Sequence, residues 1–276
     1  MALFLHSKLL HDHLPFMILV FFSLGACRLH ASDPPLTLDY YASTCPTVLE
    51  TVKKQMECEV QSDPRNAAMM LRLHFHDCFV QVGGPYWDVP LGRKDSVTAS
   101  HALSDSNLPT PNENLLSVIS KFLYQGLSVT DMVALAGAHT IGMARCASFR
   151  SRIYGDFAAT SGHDPASESH LNSLKSICPP RGADNNITAM DYETPNLFDN
   201  SFYHILLKGE GLLNSDQEMY SNVFGIETKQ LVQKYAADPI AFFQQFSDSM
   251  VKMGNITNLD SFTTGEVRRN CRFVNT

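Results

Sequence analysis

Apolar residues return at helical intervals along most of the chain. Val48, Val52 and Met56 recur every fourth position just after Pro46, which suits the first position of a helix, and they make one apolar stripe. Ser62-Asp63-Pro64 opens a second helix expected to run to about Phe79, with Asp63 as its cap. A third is expected from Asn112, carrying Leu115, Ile119 and Phe122 on one face and stopping at Gly126. Ser128-Val129-Thr130-Asp131 has the form of a capping box, in which a hydroxyl and a carboxylate satisfy each other's backbone amides. It opens a fourth helix through Met132 to about Cys146. Near the end, Phe243, Phe246, Met250 and Met253 keep the helical period and read as a core-facing stripe. Alternating strand patterns are sparse, so the fold class is mainly α.

Gly and Pro gather at Val82-Gly83-Gly84-Pro85 and around Pro179-Pro180-Arg181-Gly182, where they mark loops and not domain linkers. There is no internal repeat, and a single domain over 32–276 is the simplest division. Before it, Leu14 to Ala26 is apolar and uncharged, too short to span a bilayer, and leads into Ala31-Ser32. Residues 1–31 are therefore expected to be a signal peptide, cleaved between Ala26 and Ser32. With 276 residues, 44% of them hydrophobic and 18% charged, the chain can bury one large core. Its net charge of −7, with no cluster of Lys and Arg, argues against nucleic acid as a partner. No membrane association is expected once the signal is removed.

Export implies an oxidising compartment, which makes Cys45, Cys58, Cys78, Cys146, Cys178 and Cys271 candidates for disulfides whose pairing spacing alone does not give. Asn186-Ile187-Thr188 and Asn255-Ile256-Thr257 are glycosylation sequons, in keeping with secretion.

Candidate chemistry sits on two of the expected helices. Arg72 and His76 are four apart and share a face with Phe75, while His74 points elsewhere. An imidazole that titrates near neutrality can take and return a proton, and a guanidinium that stays charged can stabilise a developing oxyanion. In the fourth helix Met132, Leu135, Ala136 and His139 share a face, and Ala136, Gly137 and Ala138 leave little bulk around the imidazole, so a flat macrocycle could approach. A haem-ligating histidine needs a partner that fixes its tautomer, and Asp216 in Asn214-Ser215-Asp216-Gln217 is a candidate. On spacing alone, ordinary core or surface residues are the better reading of both histidines.

The wording of the segments says more than their spacing. LRLHFHDCFV, LPTPN, VALAGAHTIG, TPNLFDNSFY, GLLNSDQ and the terminal MGNI…GEVRRNCRFVN closely resemble the signatures of the class III secretory plant peroxidases, the horseradish type, from about Leu38 to the C-terminus. The resemblance implies a plant-type haem peroxidase fold with haem b. It makes His76 the distal acid and base, Arg72 the stabiliser of the transition state, Phe75 a wall of the pocket, His139 the iron ligand and Asp216 the acceptor of its hydrogen bond. The carbonyl of Pro109 becomes the contact for aromatic donors. Thr140, Asp191, Thr194, Leu197 and Asp199 match a proximal calcium site of oxygen donors, as a hard cation prefers, and Cys146 is paired with Cys178. The implied partners are hydrogen peroxide and small phenolic donors, oxidised one electron at a time by a monomer that is extracellular, in the cell wall, or in the vacuole.

Against that pattern the chain lacks a block. Family members follow the distal helix with Gly-Cys-Asp, a Ser and two further helices before reaching a GGP-x-W-x-V-P-L-G-R stretch, whereas here Gln81 joins Val82-Gly83-Gly84-Pro85-Tyr86-Trp87 directly. The fold is thus expected to be incomplete in its distal half. Asp77 and Val80 match the start of a distal calcium site whose other ligands have gone, so that site is expected to be empty or weak. The Asn that bonds the distal histidine is gone too. By the same resemblance Cys45, Cys78 and Cys271 have lost their partners. One native bridge is worth about 2–5 kcal/mol against a total stability of roughly 5–15, so three losses bear on folding itself.

Two classes of function follow. One is a haem peroxidase, favoured by intact Arg72, His76, His139 and Asp216. The other is a secreted glycoprotein that keeps the scaffold without binding haem, favoured by the missing block. A zinc hydrolase, suggested by the 11 histidines, is disfavoured because H-E-x-x-H and close Cys and His ligand spacing are lacking.

Overall fold

A computed structural model describes residues 36–72, 84–155, 165–256, 265–270 and 272–276, all of them in the unit Leu36–Thr276. The apolar run Leu14–Ala26, the junction of Gln81 with Val82, and Cys78 and Cys271 lie outside the described residues.

Helix α1 spans Val48–Ser62 and α2 spans Asn66–Arg72. Only the C-terminal end of the expected α1 stripe is buried: Met56 and Val60 are covered while Val52 is exposed. That end is where α1 meets α2, and the Asn66 side chain donates to the carbonyl of Glu59 across the turn (2.9 Å). Asp63 accepts from the Arg65 amide (3.0 Å) and from its guanidinium, but the helix starts only at Asn66, because the Pro64-Arg65 turn intervenes. The expected continuation of this helix to Phe79 lies outside the described residues.

A short helix, α3 (His101–Asn107), is followed by α4 (Leu115–Tyr124) and α5 (Val129–Ala136). Asn114 caps α4 through Ser117, two residues later than the expected start at Asn112, and Gly126 ends it with a positive φ of 80°. The capping box of α5 is present in full. Its carboxylate also reaches across the molecule: Asp131 accepts from Ser249 (2.7 Å) and Lys252 (2.9 Å), both on α11 (Pro239–Gly254) once the chain arrives there.

The fourth expected helix does not continue to Cys146. It ends at Ala136, passes into a 3-10 turn over Gly137–Thr140, and gives way to strand β1 (Met143–Arg145). Two causes are visible. The Tyr203 hydroxyl donates to the Val133 carbonyl (2.9 Å), the i−4 acceptor of the Gly137 amide, which bonds Ala134 and Leu135 instead; the hydroxyl comes this near because Gly137 has no Cβ, which would lie 2.5 Å from it. Gly142 takes a φ of 105°, which no helix can contain.

Cys146 instead begins α6 (Cys146–Ile153), followed by α7 (Pro165–Ile177) and strand β2 (Ile187–Ala189), which pairs antiparallel with β1 in the register Ala144 to Thr188. Then come α8 (Ser201–Leu207), α9 (Asn214–Ser221), α10 (Ile226–Ala237) and α11. The main core packs α5, α8, α10 and α11 together around Val133, Phe198, Tyr203, Tyr235, Phe242 and Phe246. Each such side chain contributes roughly 1.5–3 kcal/mol on burial. A smaller cluster, Phe149, Ile153, Leu174, Leu212 and Leu213, surrounds the Cys146–Cys178 disulfide, whose Cα atoms are 5.3 Å apart.

Candidate active site

The 3-10 turn carries His139 and the first turn of α9 carries Asp216, two elements 77 residues apart in sequence. The Asp216 carboxylate takes the Nδ1 side of the ring with both oxygens, at 2.9 and 3.1 Å. Phe202 of α8 stands edge-on to the imidazole, with centroids 6.1 Å apart. Nε2 accepts no hydrogen bond among the described residues, and the side chain keeps 36% of its exposure. One nitrogen is therefore held, while the other has no hydrogen-bond partner among the described residues. Burial pulls the ring's pKa down, but the charge and the hydrogen bond of Asp216 outweigh it and leave the pKa raised.

Asp216 is placed by its neighbours. Gln217 is buried, accepts from the Gly211 amide (2.9 Å), and donates to the Leu206 carbonyl (3.0 Å) and the Ser221 hydroxyl (2.8 Å). Arg152 of α6 is buried too, and donates to the carbonyls of Gly211 (2.6 Å) and Gly209 (2.9 Å). Burial lowers its pKa to about 10. The helix is also tied to the loop that carries Pro109, since Ser215 N donates to the Pro111 carbonyl (3.0 Å) and Leu115 N to Glu218 (3.1 Å). Pro109 itself is exposed between α3 and α4.

Next to His139, the Thr140 hydroxyl donates towards Asp191 (3.1 Å) and Asp199 (3.2 Å), and Thr194 makes the same two contacts (3.3 and 3.2 Å). Asp191 is fully buried and also receives the amides of Glu193 and Thr194. Burial raises its pKa, the amide and hydroxyl bonds oppose that, and the nearby charge of Asp199 adds to the rise. Two carboxylates sharing two hydroxyls suit a hard cation, which would relieve both the burial and the repulsion. Leu197, the fifth residue expected here, is exposed, and its amide donates to the Thr194 carbonyl (3.0 Å). Among the described residues no three His, Cys, Asp or Glu side chains gather as a metal site, so this set depends on its hydroxyl and backbone oxygens.

The distal side is described only at its edge. Arg72 ends α2, and Phe75, His76, Asp77 and Val80 lie outside the described residues. A Cβ built on Gly142 would sit 3.2 Å from Cβ of Ala68, so the helix that leads to Arg72 abuts the segment leaving His139. Beyond the junction, Gly84 presses on Phe198 and Trp87 is buried edge-on to Phe246 (5.8 Å).

The peroxidase family model matches residues 79–238. Peroxidase 11 of Arabidopsis thaliana is 55% identical over 310 aligned positions, which cover 88% of this chain and 92% of that relative. Peroxidase 49 of the same plant is 37% identical, with 86% and 90% covered. A peroxidase of Triticum aestivum is 36% identical, with 89% and 94% covered. The chain belongs to the plant class III peroxidases. Its enzyme class is peroxidase, and its mainly helical architecture is that of the family. The 310 aligned positions exceed the 276 residues of this peroxidase, so the Arabidopsis relative carries residues within the matched span that this chain lacks.

Of the residues read from sequence, the structure brings His139 together with Asp216, and Thr140 with Asp191, Thr194 and Asp199, and it forms the Cys146–Cys178 bridge. Cys45 and Cys58 are free and exposed. Phe202, Gln217 and Arg152 were passed over in the sequence. The one signal for Arg152 is a charged residue beside Ile153 on the buried side of a short helix.

Proposed function

We propose that this chain is a secreted haem peroxidase that reduces hydrogen peroxide and oxidises phenolic donors in one-electron steps. The observation that supports it most is the His139 ring, held at Nδ1 by Asp216, with Nε2 unpartnered among the described residues and with small residues, Ala136, Gly137 and Ala138, before it in the chain. That arrangement fits a haem iron: the carboxylate fixes the tautomer and makes the free nitrogen a stronger electron donor. Bound haem supplies the redox-active iron at which the peroxide O–O bond is broken.

The residues of the chain do the rest. His139 holds the group in place. His76 accepts a proton from the peroxide and delivers it to the departing oxygen, while the Arg72 guanidinium stabilises the charge that develops there. Phe75 restricts the space beside His76. The exposed carbonyl of Pro109 accepts a hydrogen bond from the donor's hydroxyl. Thr140, Asp191, Thr194, Asp199 and the backbone at Leu197 bind calcium on the proximal side, while the distal site, left with Asp77 and Val80, is empty or weak.

Residues 1–31 act as the signal peptide and 32–276 form one domain with a block missing between Gln81 and Val82. Asn186 and Asn255 are both exposed, as glycosylation requires. The product is a monomer in the cell wall or extracellular space, or in the vacuole.

A second reading has its own support. Cys45 is an exposed free thiol, and the Arabidopsis relative has residues in the matched span that are lacking here, which favours a secreted glycoprotein that keeps the scaffold and binds no haem. One experiment separates the two. The purified chain is mixed with haemin and its Soret band followed as peroxide is added. A histidine-ligated band that shifts with peroxide supports the enzyme; no band supports the glycoprotein.

A further inference from the structure

Tyr192 lies between β2 and α8, one residue after Asp191, and is 41% exposed. Its hydroxyl donates to Oε2 of Glu210, whose side chain is buried. Glu210 cannot easily drift from that position, because Arg152 grips the carbonyls on both sides of it, at Gly209 and Gly211. The ring of His170 covers one face of the phenol, with centroids 4.6 Å apart. Inward, Asp191 meets Thr140 (3.1 Å), and Thr140 follows His139 in the chain. A single non-covalent step thus joins the backbone of an exposed tyrosine to that of the iron-ligating histidine. A cation bound by Thr140 and Asp191 would bridge the same two residues.

We propose that Tyr192 is a surface oxidation site for phenolic polymers too large to reach the haem, relaying electrons through Asp191 and Thr140 while Glu210 takes and returns the phenolic proton. The proposal rests on the haem peroxidase reading. In the first step Tyr192 gives one electron to the oxidising equivalents that peroxide leaves at the haem, and its O–H proton moves to Glu210, which leaves a neutral tyrosyl radical. In the second, a phenol of the polymer loses one electron to that radical and one proton to water. The electron and the proton from Glu210 restore Tyr192. A fixed acceptor matters because a phenol that loses an electron while keeping its proton becomes a high-energy cation.

Tyr86 is the natural comparison. It too is exposed and donates to a carboxylate, Asp88 (2.7 Å), but Asp88 is only two residues away at the surface, and the Tyr86 carbonyl meets Ser247 of α11.

The test uses the full chain loaded with haem and treated with peroxide and a nitroso spin trap. Mass spectrometry of the digest should place the adduct on Tyr192, and Tyr192→Phe should abolish it while Tyr86→Phe leaves it. With a lignin-like polymer as donor, Tyr192→Phe should lower the rate at least tenfold, while oxidation of a small phenol is unchanged. Glu210→Gln should lower both the adduct yield and the polymer rate. In the haem-free chain, a flash-generated ruthenium oxidant should likewise oxidise Tyr192 faster than Tyr86, and Glu210→Gln should remove that advantage. A chain with a normal Soret response to peroxide but no adduct at Tyr192, or with full polymer activity in Tyr192→Phe, overturns this proposal alone. A chain that takes up no haem overturns the haem peroxidase reading and the relay with it.

Discussion

Asp216 meets His139 with both oxygens of one carboxylate, 2.9 and 3.1 Å from Nδ1. The contact fixes the ring's orientation and its tautomer together. Asp216→Asn keeps the shape but replaces the anion with a neutral amide. The haem-loaded variant should keep its Soret band, show a more positive iron reduction potential in spectroelectrochemistry, and react with peroxide about 10–100-fold more slowly. His139→Ala should remove the band altogether.

His76→Ala should bind haem normally and slow the peroxide step by about 10²–10⁴ in stopped flow, the usual range for a positioned acid and base. An unchanged rate would mean that another group carries the proton.

Chelation should destabilise the proximal side. With the cation removed, Asp191 and Asp199 face each other across Thr140 and Thr194. A cation at 100 times its Kd contributes about 2.7 kcal/mol, so a chelator should lower the thermal midpoint measured by circular dichroism. Asp191→Ala should lower it without the chelator and respond no further.

Acid should weaken the tie between α5 and α11. Burial alone would raise the pKa of Asp131, but the Ser128 hydroxyl and amide, Lys252 and Ser249 together hold it well below the usual carboxylate range. A lowered folded pKa contributes stability that is complete above the unfolded value, near 3.8, and is lost as pH falls through that value and below. Asp131→Asn should therefore flatten the acid side of the denaturant-midpoint profile. At neutral pH it should cost about 1.5–3 kcal/mol, as expected for buried hydrogen bonds to a charged group.

What the sequence could tell depended on whether a signal was local. The capping box at Ser128 and the stop at Gly126 are written within a few residues and appear where the pattern puts them. The break after Ala136 was not legible, because there the Val133 carbonyl is taken by the hydroxyl of Tyr203, 70 residues on. The long arm of Asp131 to Lys252 was hidden for the same reason, being set by packing over 121 residues. Family wording could name His139, Asp216 and the oxygen cluster, but Arg152 and Glu210 become meaningful only once α6 and the Gly209–Gly211 turn are seen together.

The side chains seen to meet those of His139 and its neighbour Thr140 by hydrogen bond or ring contact, Asp216, Phe202, Asp191 and Asp199, all lie later in the chain than the seam at Gln81. The Cys146–Cys178 bond closes within the same stretch. The hydrogen bond and the ring contact seen for His139 are thus drawn from one continuous stretch of chain.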